Sequence, residues 1–272
     1  MFWVIQNNLY NEQNYINLIQ SLKHLGIPYV EVKVVPFCNR LLPSDFDSFD
    51  YHGPIDELSE LEIDDTEQIM VCGGINLAKI AQSRNWRPGS FLNGNFHYNK
   101  WIENYGEYVL NYDSVVDTFE NISPTWDEFF IRPCEDTKDF DGRTFKYEEF
   151  REWKDDWLKN KDSCPFTSSQ VMASTIKNIY SEYRFFIVDG KIVTYSQYKM
   201  GGRIVTSPMV DDYIIDFTRK MVDIWQSARA FVIDVALTDR GLRIIEINNI
   251  NSAGFYDCDT LKIINAIEEM RI

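Results

Sequence analysis

Residues 231–256 read FVIDVALTDRGLRIIEINNINSAGFY, and the fold turns on this stretch. Two apolar, β-branched runs, 231–237 and 242–247, flank Thr238-Asp239-Arg240-Gly241. Gly241 suits the left-handed position of a bulged three-residue loop, so the stretch is expected to form a β-hairpin. A loop at 239–241 closes on Thr238 and Leu242 and carries Asp234 opposite Glu246. Asn248, two residues further on, shares their face. Ile233, Val235, Ile245 and Ile247 fall on the other face, where a core is expected.

Opposed carboxylates on adjacent strands stand about 5 Å apart at Cβ and repel unless a positive charge lies between them. Carboxylate and amide oxygens are hard donors, so a divalent cation such as Mg²⁺, or Mn²⁺ in its place, answers the repulsion. The alternative is two acids on the solvated face of an edge hairpin. On the metal reading the free hairpin lacks a counter-ion, and removing one carboxylate charge should leave stability unchanged or raised.

The pattern D-V-A-x(n)-G-L-x-I-I-E-I-N, followed by Asn251, Ser252, Ala253 and Gly254, resembles the metal-binding end of the ATP-grasp superfamily. In that superfamily an Asp on one strand and a Glu-x-Asn on the next hold the Mg²⁺ ions that bridge the ATP phosphates. Asp234, Glu246 and Asn248 match residue by residue. The resemblance extends over roughly the last half of the chain. It is nearest to a divergent bacterial and phage branch with an R-P-x(n)-K segment and an E-Y-R-F-F hairpin. It implies an α/β N-terminal lobe followed by an ATP-grasp fold, two α+β lobes with ATP between them. The expected divisions are 1–112, 113–175 and 176–272.

Composition sets the outer limits. The chain of 272 residues is long enough for a substantial core in one to three lobes. Its net charge of −15 argues against a nucleic-acid partner, which needs a positive footprint. No apolar run is long enough for a membrane span, and the start MFWVIQNN does not read as a signal peptide. Cys38, Cys72, Cys134, Cys164 and Cys258 are scattered and odd in number, which suggests reduced thiols in a cytoplasmic compartment. The three histidines form no ligand cluster. Oligomeric state is not legible.

In chain order, 2–5, 29–35 and 68–72 read as strands, and 11–25 and 75–83 as helices. Segment 43–66 is acidic and irregular. Gly73-Gly74, between strand and helix, is a place for an anion or a tight packing contact. Aromatic residues crowd 86–112 without a clear period, as inter-lobe packing or as an aromatic substrate shelf. A strand at 128–132, an amphipathic helix at 146–158 and a strand at 167–174 follow. Asp189-Gly190 marks a two-residue hairpin turn within 181–198, which sets Glu182 opposite Gln197 and Arg184 opposite Tyr195. Helices at 210–227 and 260–270 complete the chain.

The resemblance assigns further roles. Arg132 and Lys138 match the cations that meet nucleotide phosphates, although they also read as surface charge. Arg132 stands where Lys is common, and Gly142 is the single glycine where relatives carry a glycine-rich lid. Gln170, Val171 and Met172 stand where the main chain meets adenine, or are simply core. Arg184, in its E-x-R context, matches an arginine that reaches phosphate or an acyl-phosphate, with Glu182 orienting it. The other reading is a structural ion pair. Lys199 and Arg203 follow in a loop facing the same cleft. The implied activity is ATP- and Mg²⁺-dependent ligation of a carboxylate to an amine or thiol. A kinase on this fold, or a nucleotide-binding regulator without turnover, is the alternative.

Overall fold

Apolar runs and turn signals sort the strands into three sheets. The computed structural model describes residues 1–7, 13–35, 40–46, 53, 57, 59–64, 68–135, 140–159 and 167–271. In the first sheet β1 (Phe2–Gln6) lies at the centre, parallel to β2 (Tyr29–Val35) and β4 (Ile69–Cys72). β3 (Arg40–Pro43) and β5 (Pro88–Gly89) form its edges, and α1 (Gln13–Leu25) and α2 (Ile75–Ser83) are its helices. β4 is buried at every residue, as expected of a parallel strand covered on both faces.

The second sheet is antiparallel. Its order is β6 (Val115–Thr118), β9 (Gln170–Ser174), β7 (Glu128–Pro133), β8 (Arg143–Lys146). α4 (Tyr147–Lys159) lays Phe150 and Trp153 against Phe119, Phe129 and Phe145 of this lobe. α3 (Tyr98–Tyr105) precedes the sheet and arises from the aromatic crowd.

The third sheet runs β12 (Arg203–Ser207), β11 (Lys191–Met200), β10 (Ile179–Val188), β13 (Ala230–Thr238), β14 (Gly241–Asn249). One of its faces sends Phe185, Ile187, Phe231, Ile233, Val235, Ile244 and Ile247 into a core shared with α3 and α5 (Asp212–Ile224). The other face is apolar at one end, where Phe186, Val188, Ala230 and Val232 pack with Trp3, Leu18 and Leu22 and with Ile263 and Ile264 of α6 (Thr260–Glu268). Its other end carries Glu182, Arg184 and Asp234, and the functional residues gather there.

Two registers differ from the sequence reading. The 231–249 hairpin closes with Thr238 opposite Gly241, so the loop has two residues and not three. A bulge between Asp234 and Val235 then extrudes Ile245 and restores Asp234 opposite Glu246. The cause lies in the core. Ile244 and Ile247 are both fully buried, and two residues three apart face the same way on a strand only across a bulge. Ile244 thus takes the core position expected of Ile245.

In the 179–200 hairpin the Asp189-Gly190 turn forms with Val188 opposite Lys191, but two irregularities shift β11. Arg184 faces Ser196 and Glu182 faces Lys199, in place of Tyr195 and Gln197. Tyr195 turns to the core beside Phe185. The shift makes Lys199 a direct cross-strand neighbour of Glu182.

The glycine pair is a packing device. A Cβ at Gly73 would stand 2.6 Å from Gln6 Cβ and 2.8 Å from Leu77 Cδ2. The Gly73 N–H donates to Asn251 O at 2.7 Å and the Gly74 N–H to Gln6 Oε1 at 3.0 Å, so neither is open to an anion.

Candidate functional site

Asp234 is 1% exposed, so its charge needs partners. Arg184, directly across from it on β10, supplies a bidentate fork, with Nε to Oδ1 at 2.9 Å and Nη2 to Oδ2 at 2.7 Å. Nη1 donates to Gly254 O at 2.9 Å, in the turn that follows β14. The guanidinium also lies over two tyrosines, 5.0 Å from the Tyr256 ring centroid and 5.6 Å from that of Tyr198. These rings stack on each other at 4.7 Å with 9° between their planes. Tyr256 has φ +49°, a left-handed backbone rare for a bulky residue, and it packs against the arginine there.

Next along β10, Glu182 accepts from the Tyr198 hydroxyl at 2.7 Å and pairs with Lys199 Nζ at 3.1 Å. On β14, Glu246 pairs with Arg132 Nη2 at 2.7 Å. Arg132 comes from β7, so this contact bridges the second and third sheets. The Asn248 amide lies between the acids, donating to Asp234 Oδ2 at 3.3 Å and Glu246 Oε2 at 3.2 Å. Arg132, Glu182, Arg184, Lys199, Asp234, Glu246 and Asn248 therefore meet in one linked cluster.

The expected absence of a counter-ion is overturned. Each acid of the opposed pair has its own arginine, and Asn248 bridges the two. Burial pushes the Asp234 carboxyl up, and the Arg184 fork opposes that push. At Glu246 burial also pushes upward, but the Arg132 charge and the Asn248 hydrogen bond pull harder and hold the carboxyl below its usual range. Arg184 stays charged, because Asp234 outweighs the cost of burying it.

The cluster's donor set fits a hard divalent ion. Among the described residues no group of three or more His, Cys, Asp or Glu is poised for a metal. A metal here would take two carboxylates, the Asn248 amide and non-protein oxygens, as Mg²⁺ does. The Asn248 amide can present its oxygen by a half-turn about its terminal torsion. The arginines hold the positions where extra positive charge is wanted.

Other expected residues lie elsewhere. Arg203 is exposed at the start of β12, opposite Met200 across the Gly201-Gly202 turn, and it is not part of the linked cluster. Val171 and Met172 are fully buried in an inner strand flanked by β6 and β7, so their main-chain groups serve the ladders and do not face a nucleotide. Gln170 O accepts from Cys134 N, and its side chain accepts from Asn99 Nδ2 at 3.2 Å. Residues 175–178, without regular structure, join the second sheet to the third and are the better hinge. Lys138 lies outside the described residues. Gly142 sits against Arg132, where a Cβ would meet Phe130 Cζ at 2.8 Å and Arg132 Cβ at 3.3 Å.

Sequence reasoning missed Tyr198, Tyr256, Gly254 and Trp101 as contacts of the two arginines; Arg132 lies 5.3 Å from the Trp101 ring centroid. The aromatic crowd was the available signal for Trp101. Cysteine chemistry plays no part in the cluster: Cys72, Cys134 and Cys258 are free and buried, and burial pushes the Cys134 thiol up to about 12. The larger cavities, about 660 Å³ around 123–149 and about 630 Å³ between α2 and α3, do not include the acidic pair.

Residues 75–267 match a family described as an ATP-grasp domain, the third family of its clade. The chain belongs to this family. Solved ATP-grasp folds align along nearly its whole length. A D-cycloserine synthetase, DcsG, aligns with TM-score 0.62 and 10% identity over 98% of both chains. The D-alanine–D-alanine ligase of Bacillus anthracis aligns with TM-score 0.58 and 13% identity over 98% of this chain and 92% of its own. The ATP-grasp ligase PsnB, solved with a minimal precursor, aligns with TM-score 0.54 and 10% identity over 98% and 97%. No curated protein matches the sequence. The three sheets are thus an ATP-grasp fold with a preceding α/β unit. Among the described residues no helix is long and apolar enough to cross a membrane.

Proposed function

We propose that the chain is an ATP- and Mg²⁺-dependent ligase that joins a carboxylate to an amine or thiol through an acyl-phosphate, with the work divided among 1–112, 113–175 and 176–272. The observation that carries this reading is the linked cluster of Asp234, Glu246 and Asn248 with two arginines from two different sheets. Asp234, Glu246 and Asn248 would hold Mg²⁺, which supplies charge neutralisation at the nucleotide phosphates. Arg132 and Lys138 would meet those phosphates. Arg184 makes three hydrogen bonds with five N–H groups, so two remain for the oxygens of a transferring phosphoryl group. Glu182 and Lys199 would fix the neighbouring edge of the cleft. Val171 and Met172 are withdrawn as adenine contacts in favour of 175–178, and Arg203 has no assigned role.

In the proposed reaction a substrate carboxylate oxygen attacks the γ-phosphorus and ADP leaves. The acceptor amine then attacks the acyl carbon, and orthophosphate leaves. The protein contributes positioning and electrostatic stabilisation, with no covalent nucleophile. The folds of the compared synthetases and ligases and the cytoplasmic reading of the cysteines agree with it.

The test is incubation with Mg²⁺–ATP and mixed carboxylate and amine candidates, followed by mass spectrometry. ADP with a new amide or thioester supports ligation. ADP with a stable phosphorylated product marks a kinase, and binding without turnover marks a regulator; either would replace the ligase reading.

A further inference from the structure

Arg132 has three contacts of very different standing. Glu246 takes its Nη2, Pro133 O takes its Nε at 3.2 Å, and the Trp101 ring lies 5.3 Å from its guanidinium carbon. On the nucleotide reading, Glu246 is wanted by a metal ion and is then lost to Arg132. The carbonyl of the next residue is a single bond that leaves the guanidinium plane free to turn. Trp101 is the one contact of the three that fixes the plane and that no ligand of the acids competes for.

Trp101 is itself firmly placed. It is 1% exposed on α3 and packs edge-on against Tyr98 at 5.7 Å. The Tyr98 main-chain N–H donates to Cys134 O at 2.8 Å, and its hydroxyl donates to Asn111 O at 2.6 Å. The first of these bonds ties the start of α3 to the chain immediately after β7, so the indole travels with Arg132. Among the described residues the indole N–H has no hydrogen-bond partner. Its contribution is therefore made by the ring and not by the polar atom. A tryptophan face is the strongest aromatic partner for a cation, and the contact strengthens when water is excluded; the Arg132 side chain is 15% exposed.

We infer that Trp101 is a positioning residue acting through Arg132. Its indole face keeps the guanidinium plane fixed while Arg132 changes its anionic partner from Glu246 to a nucleotide phosphate. The inference rests on the proposed nucleotide site. It adds that the site's first-lobe cation is aimed by α3, outside the ATP-grasp sheets.

The test uses the full chain with Mg²⁺ and a non-hydrolysable ATP analogue. Calorimetry should show a few-fold loss of affinity in Trp101→Phe and about tenfold or more in Trp101→Leu. In an Arg132→Gln background Trp101→Leu should cost nothing further, because the residue through which it acts is gone. Equal losses in both backgrounds, or wild-type affinity in Trp101→Leu, would overturn the inference and leave Trp101 a packing residue.

A second readout needs no nucleotide. The Arg132 Nε–H resonance, identified by its loss in Arg132→Lys, should be displaced by the indole ring current, stay displaced when Mg²⁺ is added, and relax in Trp101→Phe. If Trp101→Leu does not fold, Trp101→Phe and this resonance decide the matter. If the wild type fails to bind the analogue, the nucleotide reading falls and with it the phosphate half of the inference; the resonance still decides whether Trp101 holds Arg132. An undisplaced resonance in the wild type overturns it outright.

Discussion

Two arginine–carboxylate pairs share one end of one sheet face, and they are built on different terms. Arg184 and Asp234 are cross-strand neighbours within a sheet, with side chains 10% and 2% exposed. Arg132 and Glu246 reach each other from two sheets, with side chains 15% and 28% exposed. The first pair is fixed by backbone register and cannot separate without stranding a buried charge. The second depends on how the two sheets sit together, and either member can change partner with water or ligand at hand. A site that must hold a phosphoryl group and also release its product has use for one cation of each kind.

The comparison breaks most sharply at Asp234. Asp234→Asn leaves Arg184 charged, buried and short of its fork, which should cost about 3–5 kcal/mol in urea unfolding. The variant should also melt far below the wild type without any ligand. A melting temperature within a degree or two of the wild type would mean that Arg184 finds solvent, and the contrast between the pairs would collapse.

Arg184→Lys sharpens the contrast in function. Lysine keeps the charge but cannot give Asp234 two parallel bonds, reach Gly254 O and still present donors outward. Turnover should fall by a much larger factor than nucleotide affinity. Kinetics alongside calorimetry reads the split. Parallel losses of turnover, affinity and melting temperature would favour a purely structural arginine.

Much of this cluster was legible before any coordinates. Asp234 opposite Glu246 follows from hairpin alternation, even though the turn is one residue shorter than its glycine suggests. The early turn and the Ile245 bulge cancel by the time the strand reaches Glu246. The Lys199–Glu182 pair was not legible, because irregularities in β11 arise from packing against the neighbouring strands and leave no local sequence signal. The counter-ions were missed for a related reason. Arg184 and Asp234 are fifty positions apart, and nothing in a hairpin reading says which third strand lies beside it. Short strands such as β6 and β8 and the aromatic helix α3 were missed because four to eight residues carry too little periodicity to stand out from loop. Gly73-Gly74 was correctly flagged as special, and its use proved to be close packing.

Glu246→Gln tests the exchangeable pair. The sequence alone suggested that relieving two opposed charges would stabilise the free protein. With Arg132 at 2.7 Å the opposite is expected, a loss of about 1 kcal/mol, modest because the pair is partly solvated. The same variant should lose most of the rise in melting temperature that Mg²⁺ with an ATP analogue gives the wild type by mass action. An unchanged ligand-induced rise would separate Glu246 from the metal.

The smallest effect is in the pH dependence of that loss, and it separates the two carboxylates by sign. Glu246 sits below the usual carboxylate range because the Arg132 charge and the Asn248 hydrogen bond together outweigh the upward push of burial. A carboxyl lowered on folding contributes stability in full above its unfolded value and loses it as pH falls through the folded value. The stability gap between wild type and Glu246→Gln should therefore be widest near neutral pH and close as pH drops from the ordinary carboxylate range downward. Asp234 is shifted the other way, burial prevailing over Arg184, so its titration adds stability as pH falls and cannot account for a closing gap. Urea unfolding of the two proteins between about pH 7 and pH 3 measures the difference directly, since everything but Glu246 cancels between them. A gap that stays constant or widens on acidification would mean that Arg132 does not hold Glu246 ionised, and the bridge between the two sheets would have to be given up.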